Sequence, residues 1–156
     1  MRKDQNRSEN RKLDFTLPRS RILRGKKNFE RLFQRSTLLT KSAIQFRYRI
    51  YPDPSEGSFV GFLVPKRIVR GAVDRNRMKR WLREAYRTNQ HLLNDVLTEA
   101  KTGFHAAFLI RKPAENYSVV KEEVVLLLKK AAKNLEIRRK QTFNTQDNTA
   151  KPTSNQ

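Results

Sequence analysis

Between Val73 and Arg87 the chain sets apolar residues at helical spacing and cations beside them. Met78, Trp81, Leu82 and Ala85 fall at i, i+3, i+4 and i+7, one narrow stripe, while Arg75, Lys79 and Arg83 form an i+4 row next to it. Asn76, Arg80 and Arg87 thicken the polar side. Such a helix can be packed along one side only. Like charges four residues apart cost roughly a few tenths of a kcal/mol per pair, so the row lowers the stability of the free protein until counter-charge arrives. A polyanion is the obvious source of it.

The whole composition points the same way. Thirty-five Lys and Arg stand against 15 Asp and Glu in 156 residues, a formal charge of +20, far beyond what solubility requires. Nucleic acid is the first partner this implies, because each neutralised phosphate releases condensed counterions. An anionic membrane is the weaker reading, since no apolar run approaches the roughly 20 residues of a spanning helix and the Met1–Arg7 start has no signal-peptide core. The absence of cysteine excludes disulfides, zinc-thiolate sites and cysteine nucleophiles, and the cytoplasm is the default location.

The length suits one domain with tails. Residues 1–17, polar and mixed in charge, are expected to be a flexible basic arm, residues 18–137 a single RNA-binding domain, and residues 138–156, rich in Asn, Thr and Gln, a disordered tail. Inside the domain, Phe29, Leu32 and Phe33 predict a short helix after Gly25 that ends near Ser36. From Ile44 to Tyr51 the period drops to two, with Phe46, Tyr48 and Ile50 on one face and Arg47, Arg49 and Tyr51 on the other. The turn cluster Pro52–Gly57 is expected to close a hairpin onto a second strand, Ser58–Val64, which ends near Pro65. Leu38–Thr40 could add a further strand. The basic helix is then either extended through Leu92, Leu93, Val96 and Leu97 or followed by a second short helix, and Gly103 ends the region. Phe104–Ile110 is almost continuously apolar, as a central strand covered on both faces would be. Ser118 is a plausible cap for a last helix carrying Val120, Val124, Leu127, Leu128, Ala131 and Leu135. The order α, β, β, α, β, α gives an α+β fold, an α/β sandwich with a small mixed sheet packed by helices. The strands on either side of the basic helix could be parallel neighbours, and the general rule then makes their crossover right-handed in about 98% of cases.

Two constellations could carry function. From Lys66 to Arg83 a single acid, Asp74, interrupts a run that includes Lys66, Arg67, Arg70, Arg75, Asn76, Arg77, Lys79 and Arg80. A solvated helix face would interleave acids at i+4, and this one hardly does. Guanidinium forks can hold phosphates bidentately, and the Asn76 amide can donate to phosphate or sugar or read a base edge. The second constellation is Phe29 and Phe33 on one helix edge, near Lys26, Lys27, Arg31 and Arg35. They are either core anchors or, with Arg47, Arg49 and Tyr51, part of a stacking groove for a single strand. No catalytic site is evident. His91 and His105 offer no metal-ligand spacing, Glu122 and Glu123 are adjacent on a helix, and no glycine-rich phosphate loop, nucleophile elbow or HExxH sequence occurs.

The segments Val60–Arg67, Gly71–Val73 and Arg75–Arg87, with Arg75-Asn76-Arg77 at the head of the last, resemble the bacterial ribonuclease P protein subunit. The likeness extends from Leu17-Pro18 and Leu23 through Phe29–Phe33 and Ile110–Pro113 to the last helix, ending near Leu135. It implies a small protein, one per RNA, that assembles with a large catalytic RNA and helps remove the 5′ leader of precursor tRNA. Chemistry would then belong to the RNA and its Mg2+ ions, with no catalytic residue, metal or cofactor on the protein and no obligate protein partner. Lys66, Arg67, Arg70, Arg75, Asn76, Arg77, Lys79, Arg80 and Arg83 would contact the catalytic RNA, and Phe29, Phe33, Arg47 and Arg49 the leader. The resemblance also implies a rare left-handed crossover, against the general rule. The chain departs from the family pattern at Pro65, Asp74 and Trp81.

A structural RNA-binding protein, such as a ribosomal component, is the alternative reading of the same charge. A DNA-binding protein that lays the basic helix in the major groove ranks last, because no helix-turn-helix partner or dimer zipper is visible.

Overall fold

Alternation along Ile44–Tyr51 sets the layering of the molecule. The structure, a computed structural model that describes residues 15–148, forms this segment into strand β2. Phe46 and Tyr48 enter the main core on one face, while Arg47 and Arg49 stand half-buried on the other. Before β2 come α1 (Lys26–Gln34) and β1 (Thr37–Thr40); after it come β3 (Ser58–Leu63), α2 (Ala72–Asn89), α3 (His91–Ala100), β4 (Gly103–Ile110) and α4 (Tyr117–Asn148). The extra strand at Leu38–Thr40 is therefore present, and the basic helix is followed by a separate one.

The four strands form one mixed sheet in the order β1-β2-β4-β3. β1 and β4 pair antiparallel with β2, placing Phe46 opposite both Leu39 and Phe108; β3 runs parallel to β4, with Val60 opposite Ala106. This corrects the expected hairpin across Pro52–Gly57. A turn is there, with the Asp53 carboxylate accepting the Ser55 N–H at 2.9 Å, but the strands it joins are not partners. β4 lies between them because it is apolar on both faces and only Leu109 falls short of full burial, which requires a neighbour on each edge and cover on each side. β3 finds its partner through the crossover made by α2 and α3, as parallel strands must. Its other edge is partly covered by the preceding segment, where the Leu23 N–H donates to the Val60 carbonyl at 2.9 Å.

One face of the sheet carries the main core with α2, α3 and α4. Phe46 and Phe108 stack with centroids 4.4 Å apart, and Leu82, Leu93, Leu127 and Leu128 close over them, each such burial contributing about 1.5–3 kcal/mol. Burial among these groups pushes the Tyr86 phenol up to about 12. The opposite face has α1, whose Leu32 is fully buried against Leu23 and Ala107, with Phe29 and Phe59 packed alongside. Glu123 of α4 reaches the β1–β2 turn, where both carboxylate oxygens accept the Ala43 N–H at 3.1 Å.

The chain ends differ from expectation. The cap of α4 is Asn116, whose Oδ1 accepts the Val119 N–H at 3.0 Å; the helix starts one residue before Ser118, which puts asparagine in the capping place. α4 also continues through Asn148, so residues 138–148 of the expected tail are helical, while residues 149–156 lie outside the described residues. Glu136, Arg138, Arg139, Lys140 and Gln141 are good helix formers with no glycine or proline among them, and Arg139 pairs with Glu99 of α3. The expected arm at residues 1–14 is likewise outside the described residues, but Phe15–Leu17 are tied down. Arg87 donates to the Phe15 carbonyl at 2.9 Å, Gln90 to that of Thr16 at 2.7 Å and Arg83 to that of Leu17 at 3.4 Å. Cations and amides of α2 and its end thus find acceptors on the entering chain.

Candidate nucleic-acid interface

α2 starts after Gly71, with Asp74 in its first turn at the positive end of the helix dipole. Met78, Leu82, Ala85 and Tyr86 are buried, whereas Trp81 is only half-buried and stands at the margin of the stripe. Tyr86 replaces it in the core because the sheet reaches the helix one turn further along, through Phe62 and Phe108.

The cations of this region divide by what they already hold. Arg75 donates to the carbonyls of Val69 at 3.1 Å and Arg70 at 2.5 Å, fastening the preceding loop to the helix. The Pro65 carbonyl accepts the N–H groups of Ile68 and Val69 at 3.0 Å, so the proline starts a turn instead of breaking the local bonding. Val69 is buried, and Lys66, Arg67 and Arg70 are left exposed. Arg77 pairs with Asp74 at 2.6 Å, and Arg83 is engaged by Leu17. Asn76, Lys79 and Arg80 have no side-chain partner among the described residues.

These last three, with Arg83, form one wall of a groove of about 600 Å³. Phe29, Phe62, Leu63 and the Ile22–Gly25 segment form the rest. Phe29 sits there because β3 has glycine beneath it: a Cβ on Gly61 would lie 2.7 Å from the Phe29 ring. The ring is therefore both an anchor of α1 on the sheet and a wall of the groove, which joins the two readings of this residue.

Of the four residues assigned to single-strand binding, Phe29 alone lines that groove. Phe33, 39% exposed, lies 6.1 Å from the Phe29 ring and has the Arg47 guanidinium 5.5 Å above it. Arg47 also reaches Ser36 Oγ at 3.4 Å. Arg49 is turned beneath α1, donating to the Arg31 carbonyl at 3.1 Å and stacking over Tyr51 at 4.6 Å. At the centre of this cluster is Arg31, which the sequence grouped only with the other cations near Phe29 and Phe33; it lies 4.4 Å over Tyr51 and grips both Glu56 oxygens at 3.0 and 2.8 Å. Glu56 shares the turn after β2 with a second acid, Asp53, so the sequence did not single out the pair. Arg31 holds the Glu56 carboxyl below its ordinary value. Leu38, exposed and paired opposite Arg47, extends this face; its alternation with buried Leu39 was the sequence clue.

His105 is buried, with Nε2 3.1 Å from the Glu56 carbonyl and Phe59 edge-on. Among the described residues no group of three or more His, Asp or Glu side chains could hold a metal ion, and no helix is long and apolar enough to cross a membrane. The arrangement can bind and orient an anionic, base-bearing chain.

A family model described as Ribonuclease P matches residues 17–136. The ribonuclease P protein component of Nitrosomonas europaea is 33% identical over 122 residues, 77% of this chain and 94% of that protein. That of Chlorobaculum tepidum is 38% identical over 107 residues, 64% of this chain and 70% of that protein. The RNase P protein from Thermotoga maritima shares the fold with a TM-score of 0.56 at 24% identity, over 70% of this chain and 96% of that one. For the Staphylococcus aureus RNase P protein the TM-score is 0.57 at 17% identity, over 71% and 94%. The matched span takes in the sheet, the groove and all of α2, and the chain belongs to the family of ribonuclease P protein components.

Proposed function

We propose that the protein seats α2 and the Lys66–Arg70 loop on the catalytic RNA of ribonuclease P, and holds the 5′ leader of precursor tRNA along α1. Membership of the family gives the coarse role, a component of an endoribonuclease complex that processes tRNA. The finer reading is carried by one observation: Asn76, Lys79 and Arg80 stand without side-chain partners among the described residues, across a groove from Phe29. Lys79 and Arg80 neutralise phosphates, Asn76 donates to phosphate or sugar, and the Phe29 and Phe33 rings receive leader bases, with Arg47 beside them. In this reading the side chains transfer no proton. Cleavage belongs to the RNA and the magnesium it holds, one protein serves one RNA, and the complex works in the cytoplasm.

Reconstitution tests it. Added protein should lower the magnesium concentration at which the matching catalytic RNA cleaves precursor tRNA. Phe29→Ala should weaken binding of precursor tRNA relative to mature tRNA, with RNA assembly unchanged. A protein without effect on cleavage or substrate affinity at physiological salt would refute the proposal.

A further inference from the structure

We infer that the other flank of α2, turned toward the start of α4, is a pocket for an unstacked nucleobase of the docked RNA, with Trp81 and Tyr117 as its aromatic walls. The inference deepens the docking role proposed above and rests on it. A cavity of about 500 Å³ opens there, of the size that receives a small organic group. Trp81 and Tyr117 are both half-buried, packed against the main core on one side and lining this cavity on the other.

Charge selects what could enter. Arg77, Arg80, Arg83 and Arg87 also line the cavity, against one acid, Glu84. Arg87 already holds that acid through hydrogen bonds of 3.0 and 2.7 Å, and Asp74 nearby is held by Arg77. The Arg77 guanidinium carbon lies 5.4 Å from the Trp81 centroid, so the indole face is already used by a flat cation. An occupant must therefore combine a planar apolar face with negative charge on its connecting chain. A nucleotide in an RNA strand does so, its base between the aromatic walls and its flanking phosphates on the arginines. Arg80 and Arg83 line this cavity as well as the Phe29 groove, so α2 forms a ridge between two sites. A half-buried tryptophan among arginines is otherwise a poor choice for a helix face, since an aliphatic residue would cover the same core.

Trp81 is the only tryptophan in the chain, so its emission reports on this pocket alone. The protein is titrated separately with the catalytic RNA, with precursor tRNA and with inorganic polyphosphate, a polyanion without bases, while binding is followed independently by competition against labelled RNA. Strong quenching by either RNA, with emission unchanged on polyphosphate, is the expected result, and the arm that quenches identifies the source of the base. Trp81→Leu should weaken that RNA's binding about five- to a hundredfold, Trp81→Phe should restore most of it, and neither should alter the salt slope. Tyr117→Leu gives a second variant should the Trp81 changes disturb folding. Unchanged emission on bound RNA, equal quenching by polyphosphate, or Leu binding as well as Phe would each overturn the pocket. Failure of the protein to bind either RNA would instead overturn the docking role, and this inference with it.

Discussion

Gly61 and Phe29 account for each other. The ring can lie on the sheet only where no Cβ rises to meet it, so Gly61→Ala drives a methyl to within 2.7 Å of the ring and should cost about 1–3 kcal/mol in urea unfolding. Adding Phe29→Leu should recover part of that loss, and a purely additive double variant would show that the contact is not the cause. The Arg31–Glu56 pair makes a second residue-level prediction. A carboxyl whose folded pKa is lowered contributes stability that is complete above its unfolded value and is lost as pH falls through the folded one. The advantage of the wild type over Glu56→Gln should thus be full above pH 4.5 and disappear in stronger acid, read as the difference between melting temperatures across the acid range. Neither relation was legible in advance. Helical spacing told which edge Phe29 occupies, but a glycine 32 positions later, on a strand not adjacent in sequence, decides what lies under it.

At the scale of elements, periodicity carried far. It located α1, β2, β4 and the buried side of α4 because each has a period that matches one face of a core. It could not choose strand partners, since alternation assigns faces and says nothing of neighbours; hence the hairpin expected across Pro52–Gly57 and the central position that β4 takes instead. Periodicity also left open whether α2 ran on or a second helix followed, and the place of the division was hidden. It falls at Gln90, no helix breaker, whose buried amide is held by Thr16 from the far end of the chain. The cap of α4 is open to test: Asn116→Ala should cost about 1 kcal/mol, measured by denaturant unfolding, because it strips the acceptor from the Val119 N–H. The end of α4 should matter less to stability. Phe143 is 68% exposed and Arg139–Glu99 is a solvent-facing pair, so truncation after Ile137 should reduce helical circular dichroism while moving the melting temperature by only a few degrees.

For the molecule as a whole, a charge of +20 is a standing repulsion that a bound polyanion relieves. The run of cations was plain in the sequence, but its division of labour was not, because carbonyl acceptors such as those of Leu17, Val69 and Arg70 leave no mark in composition. That division predicts different phenotypes. Lys79→Ala and Arg80→Ala should leave the melt unchanged and flatten the salt dependence of RNA binding by up to about one log-log unit each. Arg75→Ala should instead lower stability by about 1 kcal/mol, since it releases the loop it holds. Equal effects of all three on stability would contradict the assignment.

The route by which β3 reaches β4 has a further consequence. The covalent span between these parallel partners consists of α2 and α3 with their short joints, so the cationic helix is itself the strap that closes the sheet. An RNA seated on that strap at a hundred times its dissociation constant adds about 2.7 kcal/mol to the folded state, and the added protection reaches the amides of β3, which the RNA need not touch. In a ribonucleoprotein built this way the nucleic acid serves as a clasp, and the edge strand is fastened from a distance.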